Sequence, residues 1–205
     1  MATPVFCRPL SLGVDLVMHS ATKFLNGHSD LCAGALVTRE ADAFWERLQL
    51  VRTQLGGVLG SVEAWLLLRG MRSLFPRVER AARSAQQLAE RLSGHAQVAS
   101  VLYPGLMSFA GHDVAARQMT GGFGAMLSIR VKGGETAAVR SAAAVQLWKR
   151  ATSLGGTESL VEHRSSMEGE GSPSPKDLLR LSVGLEDPAD LFADLSAALD
   201  SAHRN

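Results

Sequence analysis

Apolar positions along the chain switch between a period of two and a period near 3.6. Residues 15–19 and 33–38 are short apolar runs of strand length. Residues 40–51 place Phe44, Leu48 and Val51 at helical spacing and predict an amphipathic helix. Residues 54–61 are glycine-rich and predict a loop, from which Ser61 is placed to cap a helix running through Leu68. Residues 75–92 contain many Ala and Arg and no Gly. They predict a long helix with Pro76 in its first turn and Gly94 at its end.

Beyond residue 94 the pattern changes. Residues 98–103 alternate as a strand and stop at Pro104-Gly105. Residues 112–119 predict a short helix closed by Gly121-Gly122. Residues 125–131 alternate strictly, with Met126, Ser128 and Arg130 on one face and Leu127, Ile129 and Val131 on the other. A helix over 135–147 and strands over 159–163 and 178–183 follow, the two strands separated by a polar loop at 168–175. The last helix is well signalled by Asp187 as N-cap, Pro188 behind it, Asp190 in the first turn and a Leu191, Leu195, Leu199 stripe. The order predicts an α/β class divided near residue 70. Residues 1–70 form a short α/β piece, and residues 71–205 a complete α+β unit with a small, mostly antiparallel sheet and helices on one face. No internal repeat is visible.

Composition narrows the possibilities. The 205 residues are 46% hydrophobic, enough for a real core. Lys and Arg number 21 against 20 Asp and Glu, a balance that argues against binding nucleic acid or a membrane surface by bulk charge. No apolar run reaches the roughly 18 residues of a membrane span, and residues 1–8 lack a secretory signal pattern. Two cysteines with no Cys-x-x-Cys argue for a reducing, cytoplasmic setting, and Cys7 and Cys32 are expected as buried small residues. The arginines between Arg69 and Arg91, interleaved with Glu79 and Glu90, are expected on a solvated helix face. His28 is expected to bond within its loop and His19 to pack on its strand. His112 and His163 match no metal-ligand spacing, so no metal site is expected.

The most informative segment is residues 19–28, where a strand enters a turn carrying Ser20, Thr22 and Lys23 before Gly27. The chain has four lysines against 17 arginines, and Lys132, Lys149 and Lys176 all lie in solvated contexts. An amine beside two hydroxyls suits a cofactor that carries both an aldehyde and a phosphate, such as pyridoxal 5'-phosphate (PLP). The turn alone fits a capped surface loop better. Arg180 lies inside an apolar strand, where an unpaired charge is costly unless its head reaches water.

Residues 14–30 resemble the PLP-lysine signature of the Cys/Met-metabolism enzymes, the family of cystathionine γ-synthase, cystathionine lyases, methionine γ-lyase and O-acylhomoserine sulfhydrylases. Three further segments resemble the family in order: Tyr103-Pro104-Gly105-Leu106 with Gly111-His112; Ser153-Leu154-Gly155-Gly156-Thr157-Glu158-Ser159-Leu160; and Leu179-Arg180-Leu181-Ser182-Val183-Gly184-Leu185-Glu186-Asp187. The resemblance implies the aspartate-aminotransferase-like fold (fold type I): the last part of a PLP-binding large domain, then the whole C-terminal domain. It implies that Lys23 attaches the cofactor aldehyde and then moves the substrate α-proton. Ser20 and Thr22 would hold the phosphate. Arg180 would grip the substrate α-carboxylate as a bidentate fork, assisted by Ser153.

The implied activity is PLP-dependent elimination or replacement at the γ- or β-carbon of a sulfur-containing or activated amino acid. Relatives are homotetramers, so a homo-oligomer is expected. The resemblance also implies a preceding portion with a glycine-rich phosphate loop, a ring stacked on the cofactor and an acid at the pyridine nitrogen. This chain begins after that portion. It is therefore expected to be a truncated enzyme or, alternatively, an inactive fragment that keeps structural and oligomerisation surfaces. One local departure stands out: the family's His-Pro-Ala-Ser-Met is His163-Arg164-Ser165-Ser166-Met167 here, which leaves pocket polarity and reaction subtype open.

Overall fold

The structure, a computed structural model, describes residues 2–204. Helix α1, Thr3–Phe6, is followed by a 3-10 turn at Pro9–Leu12. Strands β1, Leu16–Ser20, and β2, Gly34–Thr38, pair antiparallel from Leu16 opposite Thr38 to Ser20 opposite Gly34. Helices α2, Ala43–Leu55, and α3, Ser61–Met71, complete the first part. The helix start at Ser61 is a small correction. Gly60 is the N-cap and the Ser61 side chain makes no cap bond, whereas Asp42 caps α2 by accepting from Trp45 N at 3.0 Å.

Helix α4, Leu74–Ser93, is amphipathic and buries Leu74, Val78, Ala81, Ala85, Leu88 and Leu92 on one stripe. It leads to β3, Val98–Leu102, and α5, His112–Gln118. Then come β4, Met126–Val131; α6, Gly134–Ala144; β5, Lys149–Arg150; β6, Leu160–His163; α7, Arg164–Glu168; β7, Leu178–Ser182; and α8, Pro188–Ala202. The last five strands form one sheet in the order β3-β4-β7-β6-β5, antiparallel throughout except for the short β5–β6 pair. Helices α4, α6 and α8 cover one face, onto which β4 turns Leu127, Ile129 and Val131. Asp187 caps α8 by accepting from Ala189 N, and Leu191, Leu195 and Leu199 are fully buried as predicted.

The other face of this sheet is polar where it meets the first part of the chain. Cross-strand neighbours on β4, β7 and β6 are Ser128, Arg180 and Glu162. The loop before β6 is locked over the end of β7. Ser159 N and Oγ donate to the Glu186 carboxylate at 2.8 and 2.7 Å, and Gly184 N donates to Ser159 Oγ at 2.8 Å. A Cβ at Gly184 would collide with the backbone of Thr157 and Glu158.

Two expectations are corrected, and one predicted helix leaves its apolar face uncovered. The α2 stripe of Phe44, Leu48 and Val51 is not buried, because α2 buries no side chain among the described residues. Cys7 is half-buried and Cys32 exposed. The α4 arginine face is mostly solvated, but Arg77 is buried.

Candidate active site

The lysine turn is a wide, π-type helical turn at Ala21–Leu25, in which Lys23 departs from helical geometry at φ −89°, ψ −130°. Such turns leave carbonyls without intrahelical partners. Arg77 satisfies them. Its Nη1 donates to Phe24 O at 3.1 Å, and its Nη2 lies near Leu25 O, Asn26 O and Gly70 O at 3.4, 3.2 and 2.9 Å. Ser73 Oγ accepts from Nε at 3.0 Å. Burial pulls the guanidinium below its ordinary pKa, and the ring of carbonyl dipoles offsets part of that cost. Gly27 has φ +72°, and a Cβ there would overlap the Arg77 guanidinium; one at Gly70 would overlap Asn26. The turn is thus pinned from α4.

On its outer side, Thr22 Oγ1 accepts from Ala33 N at 2.9 Å and lies 3.3 Å from Ala33 O, while Ser20 is exposed at the end of β1. His28 Nδ1 bonds Asn26 O at 2.7 Å, the loop role expected of it. His19 is partly buried, which lowers its pKa.

The second half of the site comes from the sheet. Lys23 Nζ donates to Ser153 Oγ at 3.0 Å. Ser153 sits at φ +81°, a left-handed conformation uncommon for a residue with a Cβ. That geometry turns its hydroxyl to Lys23 while its carbonyl accepts from Arg180 Nη2 at 2.7 Å. Gly155 makes the approach possible, since a Cβ there would meet Phe24 N at 2.7 Å. Arg180 also pairs with Glu162, whose side chain is 3% exposed. Burial lowers the Arg180 pKa, and the Glu162 charge opposes that shift.

Lys23, Ser153 and Arg180 therefore meet at one point although 130 and 27 residues separate the successive pairs. Ser20 and Thr22 lie on the Lys23 turn rather than in that contact. Two residues of the site escaped sequence reasoning. Glu162 had a readable signal: it is the one acid in an apolar strand, as Arg180 is the one cation in the strand beside it. Arg77 lies seven residues beyond Gly70 and four before Ala81, at the margin of the buried α4 stripe, a position that only the fold shows to be covered. The donor set of an amine, two hydroxyls on the same turn and a guanidinium across Ser153 fits a phosphate-bearing aldehyde together with an α-amino acid.

Comparison with known proteins bears on the fold and the family. The cystathionine gamma-synthase of Mycobacterium tuberculosis H37Rv is 46% identical over 203 residues, 97% of this chain and 52% of the relative. The L-methionine gamma-lyase of Pseudomonas deceptionensis is 46% identical over 205 residues, 96% of this chain and 51% of the relative. Among solved structures, metB from Corynebacterium glutamicum superposes with a TM-score of 0.94 at 41% identity, covering 98% of this chain and 53% of that one. Apo CalE6, a methionine gamma lyase from Micromonospora echinospora, gives 0.90 at 41% identity, with 97% and 53% covered. The chain thus spans about half the length of the curated relatives it matches. The model of the Cys/Met metabolism PLP-dependent enzymes matches residues 1–200, and with the fold and the Lys23–Ser153–Arg180 geometry in place, the chain belongs to that family.

Proposed function

We propose that this sequence serves a PLP-dependent enzyme that eliminates or replaces a group at the γ- or β-carbon of a sulfur-containing or activated amino acid, of the kind named by its cystathionine gamma-synthase and methionine gamma-lyase relatives. The observation that carries this reading is the single serine bridging an amine and a guanidinium, Lys23 Nζ on Ser153 Oγ and Arg180 Nη2 on Ser153 O. PLP, when bound, supplies an electron sink for the charge left on the substrate α-carbon.

The chain's own residues do the rest. Lys23 Nζ would hold the cofactor through its aldehyde, and the same amine, when not so engaged, would be the base that takes and returns the substrate α-proton. Ser153 Oγ holds that amine at one orientation. Arg180 binds the substrate α-carboxylate and so aims the α-carbon at Lys23. Ser20 Oγ and Thr22 Oγ1 would donate to the cofactor phosphate. The Thr22 proton is held only by the 3.3 Å contact to Ala33 O and can turn to a stronger acceptor.

The same proposal puts a domain division near residue 70, a reading supported by the separation of the two sheets on either side of α3 and α4. Association into a homo-oligomer belongs to the same proposal and is supported by exposed apolar side chains such as Trp65 and Leu68. So does a cytoplasmic location, in line with the free thiols of Cys7 and Cys32. No helix among the described residues is long and apolar enough to cross a membrane.

The test is incubation with PLP followed by borohydride reduction and peptide mapping. A pyridoxyl label on Lys23, absent after Lys23→Ala, is the expected result. Absence of label at saturating cofactor would favour a chain that retains only structural surfaces. Product analysis with candidate substrates, following ammonia, 2-oxo acid or cystathionine, then assigns the reaction.

A further inference from the structure

Arg180 is not an isolated cation. It is one end of a line of four charges, Arg180, Glu162, Arg164 and Glu168, that runs from the site into the loop before β7. Arg180 and Glu162 are direct cross-strand partners, and their side chains form an ion pair. Arg164 Nη1 donates to both Glu162 oxygens, at 3.1 and 3.2 Å. Its Nη2 pairs with Glu168. The Glu168 carboxylate in turn accepts from Ser172 Oγ and, at 2.7 Å, from Ser174 Oγ. Arg164 is therefore held at both ends, and Glu168 and then Glu162 raise its pKa.

The geometry of a guanidinium gives this arrangement a consequence. Its two exposed edges, Nε with Nη2 and Nη1 with Nη2, both include Nη2. On Arg180, Nη2 already serves Ser153 O and Glu162 Oε2. An incoming carboxylate that binds bidentately must displace one of them. Ser153 O is fixed by the backbone, so the partner that can leave is Glu162. A carboxylate only 3% exposed cannot be left without a cation. Arg164 already contacts both of its oxygens.

We propose that Arg164 is a positioning residue for substrate. It holds the charge of Glu162 so that Arg180 can exchange that partner for the α-carboxylate of an amino acid. The proposal rests on the reading of Arg180 as the carboxylate fork. It also gives a role to the position where this chain departs from the His-Pro-Ala-Ser-Met pattern.

The test uses the 15N-labelled chain titrated with L-norleucine and, separately, L-norleucinamide, which lacks the carboxylate charge. Binding is followed at the backbone amides of residues 153 and 180–182. The unsubstituted chain is expected to bind norleucine and not the amide. Arg164→Ala should bind norleucine about tenfold more weakly, and Arg164→Lys should lose less. The double variant Arg164→Ala/Glu162→Gln, which removes the buried charge along with its partner, should recover norleucine binding. A merely structural role for Arg164 predicts no recovery.

Norleucine binding by Arg164→Ala within about twofold of the unsubstituted chain, or no recovery in the double variant, overturns the proposal. Equal binding of norleucine and its amide, or unchanged norleucine binding by Arg180→Gln, instead rejects the carboxylate reading of Arg180, and the proposal falls with it. Should Arg164→Ala fail to fold, the double variant and Arg164→Lys decide between the same outcomes.

Discussion

Residues 2–73 and 74–204 are built in different ways. The later region closes a five-stranded sheet under three helices. Its helix α8 buries Leu191, Leu195 and Leu199 completely, and α4 buries Ala85, Leu88, Ala89 and Leu92. The earlier region has a two-stranded ribbon, the four-residue α1 and two longer helices, of which α2 buries nothing and α3 only Gly70. Met18, Leu55, Val58, Trp65 and Leu68 stand open to solvent there. Two strands and a pair of one-sided helices cannot close a core of their own. The part of the earlier region that is well buried is the part that touches the later one. Phe6 packs where a Cβ at Gly122 would fall, and Phe24 and Leu25 sit on the Arg77 side chain. The lysine turn thus takes its order from the sheet region, although it lies in the other part of the chain.

The largest expected effect tests that contrast directly. Leu195→Ala should destabilise the chain by about 3 kcal/mol in denaturant titrations, while Trp65→Ser, at a position 62% exposed, should change stability by less than about 0.5 kcal/mol. Comparable losses for the two would erase the distinction between regions. The lysine turn is the place to sharpen it. Gly27→Ala forces a Cβ into a left-handed backbone and displaces Arg77, and should cost about 2–3 kcal/mol. Faster hydrogen exchange at Asn26 and Gly27 N–H, both bonded to the turn's carbonyls, should accompany it. Retained protection there would show that the turn holds without its α4 anchor.

Smaller effects lie inside the later region. Asp187→Ala removes the bond to Ala189 N and should cost about 1 kcal/mol, with no change at the lysine turn. The smallest is a pH effect at the loop. Ser172, Ser174 and Arg164 hold the exposed Glu168 carboxyl down at about 2. A depressed folded value means that its contribution is complete above the ordinary value of 4.5 and fades as the pH falls toward about 2. A carboxyl-carbon NMR titration should show Glu168 as the late-titrating group, and Arg164→Ala should move its midpoint upward. A midpoint near the ordinary value in the unsubstituted chain would remove Glu168 from the charge line.

Much of the architecture could be read from periodicity. The alternation at residues 125–131 and the Leu191, Leu195, Leu199 spacing each name a buried face from local pattern alone. The α2 stripe of Phe44, Leu48 and Val51 had an equally good pattern, yet Phe44 is exposed and Leu48 and Val51 are only half-buried, because periodicity marks a face that could be buried and not what lies opposite it. Short elements such as α1, α7 and the two-residue β5 carry too few residues to show a period.

The site divides the same way. Lys23, Ser153 and Arg180 were legible one by one, each from its own motif. The chemistry of an amine, a hydroxyl and a guanidinium is a property of residue type, and the sequence alone determined it along with the family, the α/β class and the capped last helix. Only the tertiary structure decided that Ser153 joins the other two, that Arg77 lies beneath the lysine turn, and that Arg164 and Arg180 share one buried Glu162. Those facts depend on contacts between residues far apart in the chain, and on burial, which gives a charge its cost and its partner its importance.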